Sequence, residues 1–392
     1  MSPHPAPLDD LVVLDLTRAL AGPHAAMMLG DMGARVIKVE SPAGDDTRGW
    51  GPPFVGEGDE RESTYFLAAN RNKESVVLDL KTEEDREVLA GLVRRSDVLM
   101  ENFRVGVLER LGFGVERLHE LNPRLILLSI TGFGHDGPEA SRAGYDQIAQ
   151  GEGGLMSITG SDPEQPTKVG VPIADLLAGM NGAYGVLAAL HERSRTGLGR
   201  VVRTSLLASV VGVHAFQGTR WTVAKEVPGM SGPHHPSIAP YGLFHTATSP
   251  VQVACGSETL WRSFAAATGL DVDDARFATN GDRVGHRDEL TAAIEEVLAQ
   301  QPAEHWLALF GEAGIPSGKV RSIDDVYDWE QTRSQGLLLD VDHPTQGALQ
   351  LPGSPIRFDD NAFSGGRETH EAPPTLGQHD AAIRAWAREP QQ

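Results

Sequence analysis

Cysteine is almost absent from this 392-residue chain; Cys255 is the only one. An internal disulfide is therefore impossible, and the composition suits a reducing compartment. Set in the apolar run VQVACGS (Val251–Ser257), Cys255 reads as a small buried residue rather than a nucleophile. Lysine is scarce too. Only six of the 34 basic residues are lysine (Lys38, Lys73, Lys81, Lys168, Lys225 and Lys319), and 54 acids bring the formal charge to −20. With no basic tract, nucleic acid and anionic membrane are excluded as main partners, although a small anion needs only a local cluster of donors. Long apolar runs are missing as well. The longest uncharged helix-like stretch, Leu176–Leu190, is shorter than the roughly 20 residues that span a bilayer. The start, MSPHPAPLDD, lacks the charged-then-apolar layout of a secretory signal. The expectation is a soluble, cytoplasmic protein with no membrane partner.

Common catalytic signatures are also absent. There is no G-x-S-x-G elbow, no G-x-x-x-x-G-K-[ST] loop, no H-E-x-x-H and no paired C-x-x-C. Asp271, Asp273 and Asp274 lack the glycine and closing glutamate of a calcium loop, and His234-His235 in a Pro/Gly loop reads as solvent-facing. No metal site is expected. A dinucleotide site is disfavoured because the turn after the first apolar run is Thr17-Arg-Ala-Leu-Ala-Gly-Pro23. Without the G-x-G-x-x-G glycines the backbone cannot approach a pyrophosphate in the usual way, even though Glu40 stands where a ribose-binding acid would.

What is present is an alternation of short apolar runs with helix-like stretches. Leu11–Leu16, Val36–Val39, Ser75–Leu80, Val98–Met100 and Leu125–Ile130 read as strands. A small-residue helix lies between the first two, and another after Thr82 places Val88, Leu89, Leu92 and Val93 on one face. Leu125–Ile130, apolar at nearly every position, suits a strand covered on both faces. This is an α/β parallel sheet. A helix-rich segment runs from about Ile173 to Phe216, with Gly179, Gly182, Ala183, Gly185, Ala188 and Ala189 allowing close packing. Val227–Pro240 reads as a loop or linker. Beyond it come a hairpin (Tyr241–Ala254) and helices over Trp261–Ala267, Arg287–Ala299 and Ala303–Ala313, forming a smaller domain, then a mostly extended tail from Asp342. The domain reading is residues 1–220 as a large domain completed by 330–392, with linker and small domain over 221–329.

One acid stands out. Asp175, in Gly170–Met180 (GVPIADLLAGM), enters an apolar helix. It is either an N-cap that satisfies free amides or a carboxylate nucleophile for acyl transfer, and pattern alone does not decide.

Several ordered blocks resemble the class III CoA-transferases: LDLTRALAGP (Leu14–Pro23), LGDMGARVIKVE (Leu29–Glu40), NRNKESVVLDLK (Asn70–Lys81), ENFRVGVLERLG (Glu101–Gly112), SITGFG (Ser129–Gly134) and the Asp175 segment. The resemblance covers roughly Leu8 to His379. Within the family, GDDTRGWGPPFVG (Gly44–Gly56), ESTYF (Glu62–Phe66) and HPSIAPYGLF (His235–Phe244) look most like the branch that moves CoA between dicarboxylic acids. The resemblance implies a Rossmann-like parallel-sheet large domain, a smaller α+β domain and an interlocked homodimer. It implies Asp175 as nucleophile, with CoA passing from succinyl-CoA or a similar donor to an acid such as glutarate through aspartyl anhydride and aspartyl-CoA thioester. CoA and acyl-CoA enter as substrates, with no permanently bound cofactor. Arg18, Ala19, Leu20, Ala21, Lys73, Asn102, Phe103, Arg110 and Tyr145 are implied to line the CoA site. Thr131 and Ala143 stand where the formyl branch has lysines, and Arg142 is expected to substitute. Arg48 is the expected counter-charge for a distal carboxylate, since a guanidinium binds one bidentately. Two rival readings of the same resemblance are an α-methylacyl-CoA racemase and a non-catalytic acyl-CoA-binding homologue. The racemase needs an acid/base partner for Asp175, and Tyr145 replaces the histidine of that branch's A-G-H-D motif. A tyrosine, with an ordinary pKa near 10, serves that role poorly.

Overall fold

The structure, a computed structural model, describes residues 5–358 and 365–390. Two compact units divide the chain. The first comprises Met1–Leu155, Val169–Val223 and Tyr327–Gln392; the second comprises Met156–Lys168 and Ala224–Val326.

The first unit is built on a six-stranded sheet of β1 (Val12–Asp15), β2 (Arg35–Glu40), β3 (Lys73–Val77), β4 (Val98–Glu101), β5 (Ile126–Thr131) and β6 (Val201–Ser205). Its order is β3-β2-β1-β4-β5-β6 and every pairing is parallel. Its helices include α1 (Ala21–Asp31), α2 (Glu83–Arg94), α3 (Asp146–Glu152), α4 (Ile173–Thr196) and α5 (Leu206–Gly212). Alternation along the strands sends Val13, Val36, Met100 and Leu128 to the face covered by α1 and α4. Leu14, Ile37, Val76 and Leu99 go to the face covered by α2. Both faces are dry, which is why β5 is apolar along almost its whole length. α1 and α4 approach closely because Gly179 has no side chain: a Cβ there would stand 2.5 Å from the Ala21 carbonyl oxygen.

Two expectations change in this unit. β3 begins at Lys73 rather than Ser75, because its register against β2 starts at the Val36–Lys73 pair. The segment read as helix-rich also contains β6, a half-buried strand formed by Val201–Ser205 pairing with β5. α4 is also longer than the uncharged run inside it. Its 24 residues are long and apolar enough, by length and composition alone, to cross a membrane. Here Ala178, Gly182, Val186 and Ala189 are buried against the core, and Arg193 pairs with Asp97 at 2.9 Å.

The second unit pairs β7 (Tyr241–Phe244) with β8 (Val251–Ala254) as the expected hairpin, and β9 (Ser317–Lys319) joins the far edge of β8 antiparallel. Helices α6 (Glu258–Thr268), α7 (Arg287–Leu298) and α8 (Ala303–Glu312) fall where the periodicity placed them. Trp261, Phe264, Phe310 and Cys255 lie in their shared core. Burial pushes the Cys255 thiol up to about 12, so it is inert packing.

The chain then returns to the first unit as a hairpin, β10 (Leu338–His343) with β11 (Gly347–Pro352), and ends in helix α9 (Asp380–Arg388). The tail is thus less extended than its proline and glycine content suggested; residues 359–364 and 391–392 of it lie outside the described set. Ile383 and Ala387 of α9 are buried with the α2 face of the sheet. Thr82 caps α2 by accepting the Asp85 N–H, while the Asp85 carboxylate accepts from Asp79 N–H and from Arg384 of α9.

Candidate active site

The strand order reverses at β1 and β4: β2 and β3 lie to one side, β5 and β6 to the other. Loops leaving the carboxyl ends of β1 and β4 diverge there and leave a crevice, the usual place for a ligand in an open parallel sheet. Asn102, just past β4, closes the base of this crevice. Arg18 N–H donates to Asn102 Oδ1 at 2.9 Å, and Asn102 Nδ2 donates to the Arg18 carbonyl at 2.7 Å. The β1 loop is held in an unusual shape. Ala19 sits at φ 65°, in the left-handed region that costs a residue with a Cβ, and its N–H donates to Asp45 Oδ1 at 3.3 Å.

A cavity of about 260 Å³ opens beside this clasp, walled by the β1 loop (Arg18–Ala21), the β4 turn (Asn102–Val105), Arg142–Tyr145 and Asp175. A second, of about 290 Å³, shares Arg18 and Phe103 with it and has apolar walls from Leu16, Val39, Leu78 and Leu80, with Ser41 and Lys81 at its edge.

Asp175 lies in the first turn of α4 but does not cap it. The cap is supplied by Asp146, the first residue of α3, whose Oδ1 accepts the Ala174 N–H at 2.8 Å while its Oδ2 accepts from Gln150 Nε2 at 2.8 Å. The Asp175 carboxylate has no hydrogen-bond partner among the described residues. Burial first, and then the Asp146 charge, push its pKa up to about 7. Of the two readings left open by the sequence, capping is therefore excluded by geometry. Tyr65, edge-on to Trp50 at 5.0 Å between ring centroids, feels the same acids: burial, Asp175 and Asp146 push its hydroxyl up to about 12.

Arg18, Ala19, Leu20, Ala21, Asn102, Phe103, Arg142, Tyr145 and Asp175 thus line one cavity, as do Thr131 and Ala143. Three expected residues do not. Lys73 is fully buried, and its ammonium donates to Asp15 Oδ2 at 2.8 Å, the Pro23 carbonyl at 2.9 Å and Asn70 Oδ1 at 3.0 Å. With all three protons used internally it ties β3 to β1 and the start of α1. Arg48 is also spent. It donates bidentately to Glu40 at 2.8 and 2.7 Å and to the Pro374 carbonyl at 3.1 Å, with its guanidinium 3.7 Å over the Phe66 ring. It is a brace, not a free counter-charge for substrate. Arg110 is exposed in the short helix Val107–Arg110, outside the cavity wall. The cations that do line the cavity are Arg18, 3.7 Å from Asp46, Arg104, and Arg142, which pairs with Glu139 and Glu152 and stacks 4.6 Å over Phe133.

Two contributors, Asp146 and Tyr65, were not picked out by residue type. Asp146 directly follows Tyr145 and Tyr65 lies in ESTYF, but the signal that matters is the charge interaction each has with Asp175, which no spacing reveals. Among the described residues no group of three His, Cys, Asp or Glu could hold a metal ion. His235 stacks on Tyr241 at 5.1 Å instead.

Comparison with known proteins agrees with this layout. A family model described as CoA-transferase family III matches residues 8–380. The chain is 38% identical over 384 residues to acetyl-CoA:oxalate CoA-transferase of Acetobacter aceti, covering 96% of this chain and 95% of that protein. It is 39% identical over 380 residues to succinyl-CoA:glutarate CoA-transferase of Mus musculus, covering 96% and 85%. A crystal structure of a CaiB/BaiF family protein from Brucella suis superposes with a TM-score of 0.86 at 40% identity, covering 98% of this chain and 100% of that one. A match over this much of the chain, on a fold whose switch-point crevice holds a half-buried aspartate that caps no helix, has one meaning: the chain belongs to CoA-transferase family III.

Proposed function

We propose that this enzyme moves CoA from an acyl-CoA donor, succinyl-CoA, to a dicarboxylic acid such as glutarate, with Asp175 as covalent nucleophile. The observation that carries the reading is Asp175 itself, an acid relieved of capping by Asp146 and turned over to a cavity walled by the Arg18–Asn102 clasp. The choice of donor and acceptor is supported by the mouse relative named for succinyl-CoA and glutarate and by one from Agrobacterium fabrum named succinate–glutarate CoA-transferase, at 39% and 38% identity.

The steps follow from the groups present. The Asp175 carboxylate attacks the thioester carbonyl and the C–S bond breaks, giving a succinyl–aspartyl anhydride and CoA thiolate. The thiolate attacks the aspartyl carbonyl of that anhydride, releasing succinate and leaving an aspartyl-CoA thioester. The acceptor carboxylate attacks this thioester, expelling thiolate and forming a new anhydride. The thiolate then takes the acceptor's acyl carbon and returns Asp175 as a carboxylate. Each step exchanges acyl groups of similar reactivity, so the scheme calls on no resident metal or cofactor. A carboxyl with a pKa near 7 is both ionised in useful amount and more nucleophilic than an ordinary aspartate. The apolar walls of the second cavity suit the adenine ring of CoA, and it shares Arg18 and Phe103 with the cavity that holds Asp175. The working assembly is a homodimer in this reading, supported by apolar residues such as Tyr184, Trp221 and Val223 left exposed on the single chain. A cytoplasmic location accords with the lone, buried cysteine.

The test is intact-mass measurement after mixing with succinyl-CoA. Wild-type protein should gain a hydroxylamine-labile CoA adduct that Asp175→Ala lacks, and exchange into glutarate should vanish with it. An adduct that survives in Asp175→Ala overturns the assignment.

A further inference from the structure

Beside the cavity lies a third, solvent-open pocket of about 130 Å³ that the reaction scheme does not use. It is bordered by a row of side chains that the sheet register places side by side at the carboxyl ends of three strands: Glu101 of β4 opposite Ser129 of β5, and Ser129 opposite Arg203 of β6. His135 closes the row from the loop after β5, its Nε2 2.7 Å from Ser129 Oγ. That loop turns back at Gly134, whose φ of +118° only glycine takes easily, and Gly134 N–H donates to Thr131 Oγ1 at 3.1 Å.

The hydrogen bonds run in one direction. Phe103 N–H donates to Glu101 Oε2 at 2.8 Å, and the Ser129 hydroxyl donates to Glu101 Oε1. Ser129 has a single proton, so its oxygen must accept from His135, whose ring then carries its hydrogen on Nε2. The chain His135→Ser129→Glu101←Phe103 therefore fixes the backbone of the turn in which Asn102 reaches across to Arg18. Phe103, Arg104, Val105 and Thr131 line both this pocket and the active-site cavity.

The geometry points to Glu101 as a positioning residue that, through Ser129 and His135, sets the Asn102–Val105 wall and with it the affinity for acyl-CoA. This rests on the CoA-transferase reading of the active-site cavity. When Glu101 takes up a proton it becomes a donor on one oxygen. The protonated oxygen no longer accepts, so the hydrogen bond from Ser129 or from Phe103 is lost and the other one faces a neutral carboxyl. Burial already biases Glu101 upward from the ordinary glutamate range, with Glu109 adding to it, and biases His135 downward, with Arg203 adding to it. The charged groups facing the row are Arg104, Glu109, Asp136 and Arg203. Acid therefore loosens the wall in addition to protonating Asp175, so substitution, rather than a pH profile, is the test.

Steady-state kinetics separate this from a merely structural role. Glu101→Gln and Ser129→Ala should raise KM for the acyl-CoA donor about fivefold or more, with kcat and the KM for the acid acceptor within about twofold of wild type. Ser129→Thr, which keeps the hydroxyl, should restore the wild-type value. Should Glu101→Gln fail to fold, the Ser129 pair alone decides. An unchanged donor KM in Ser129→Ala, or an equal loss in Ser129→Ala and Ser129→Thr, overturns the proposal. Calorimetry with CoA distinguishes the two levels. If wild-type protein binds no CoA, the active-site reading fails and this inference with it; if CoA binds wild type and Ser129→Ala equally, only the inference fails.

Discussion

An aspartate whose pKa is raised to about 7 pulls stability and activity in opposite directions. Its folded-state pKa lies above the unfolded value near 3.8, so the native state binds that proton more tightly. The associated stability is present at low pH and is lost as pH rises from about 4 through about 7. Asp175→Asn removes the ionisation, and should raise the melting temperature more at pH 8 than at pH 5, by a stability increment on the order of 1–3 kcal/mol after allowing for solvent relaxation. Differential scanning fluorimetry at the two pH values checks this, and equal gains at both would sink it. Asp146 gives the companion prediction. Asp146→Asn keeps an oxygen for the Ala174 N–H but removes a negative charge, so the pKa of Asp175 should fall. The acid limb of kcat/KM, which reports the free enzyme, should then move below pH 7 while the plateau holds. A limb that stays in place would show that burial alone sets this carboxyl.

Between elements, the contact that matters most to the site is the crossing of α1 and α4. α1 begins at Ala21, a cavity residue, and α4 begins three positions before the Asp175 turn ends, so any shift between the helices moves both walls. Gly179 allows the approach, with a Cβ placed there only 2.5 Å from the Ala21 oxygen. Gly179→Val should cost about 1–3 kcal/mol in denaturant unfolding and also raise the donor KM, because overpacking is relieved by moving backbone. Destabilisation with unchanged kinetics would mean the strain is absorbed away from the cavity. This close packing was legible in the sequence, since a run of small residues on a helix has few other uses. So were five of the six strands, whose apolar runs are too continuous for a one-sided sheet. β6 was not, because VVRTS is short and half-polar and becomes a strand only by pairing with β5. α9 was hidden for a similar reason. DAAIRAWAR sits in a proline-rich tail, and its apolar stripe has meaning only once α2 offers a surface. The letters also mark which side chains are charged but not what they meet. Arg48 and Lys73 are claimed by Glu40 and Asp15, acids that sequence spacing does not identify as partners. The clasp, by contrast, joins two motif residues 84 positions apart that were both expected at the site.

At the scale of the whole molecule the scarcity of lysine takes on a definite form. Lys38 and Lys73 are buried in ion pairs with Asp45 and Asp15, each at 2.8 Å, so neither offers its charge to solvent. The cavity is left with three arginines for a polyanionic ligand on a chain of net charge −20. These two facts act over different distances. Contacts within the cavity are local and only modestly screened, whereas the field of the whole chain reaches as far as the Debye length, about 30 Å at 0.01 M and about 8 Å at 0.15 M salt. At low salt an incoming acyl-CoA should therefore meet net repulsion before it reaches the arginines, and raising salt should remove the repulsion first. The second-order rate constant for acyl-CoA association, followed by stopped-flow quenching of the Trp50 region or by kcat/KM at limiting donor, is expected to rise severalfold from 0.01 to 0.1 M salt. It should level off or decline only beyond that. A protein that captured CoA by a broad basic surface would respond the other way, with the rate falling monotonically from the lowest salt. That outcome would show that the local cluster, rather than the overall charge, governs the approach as well as the final contact.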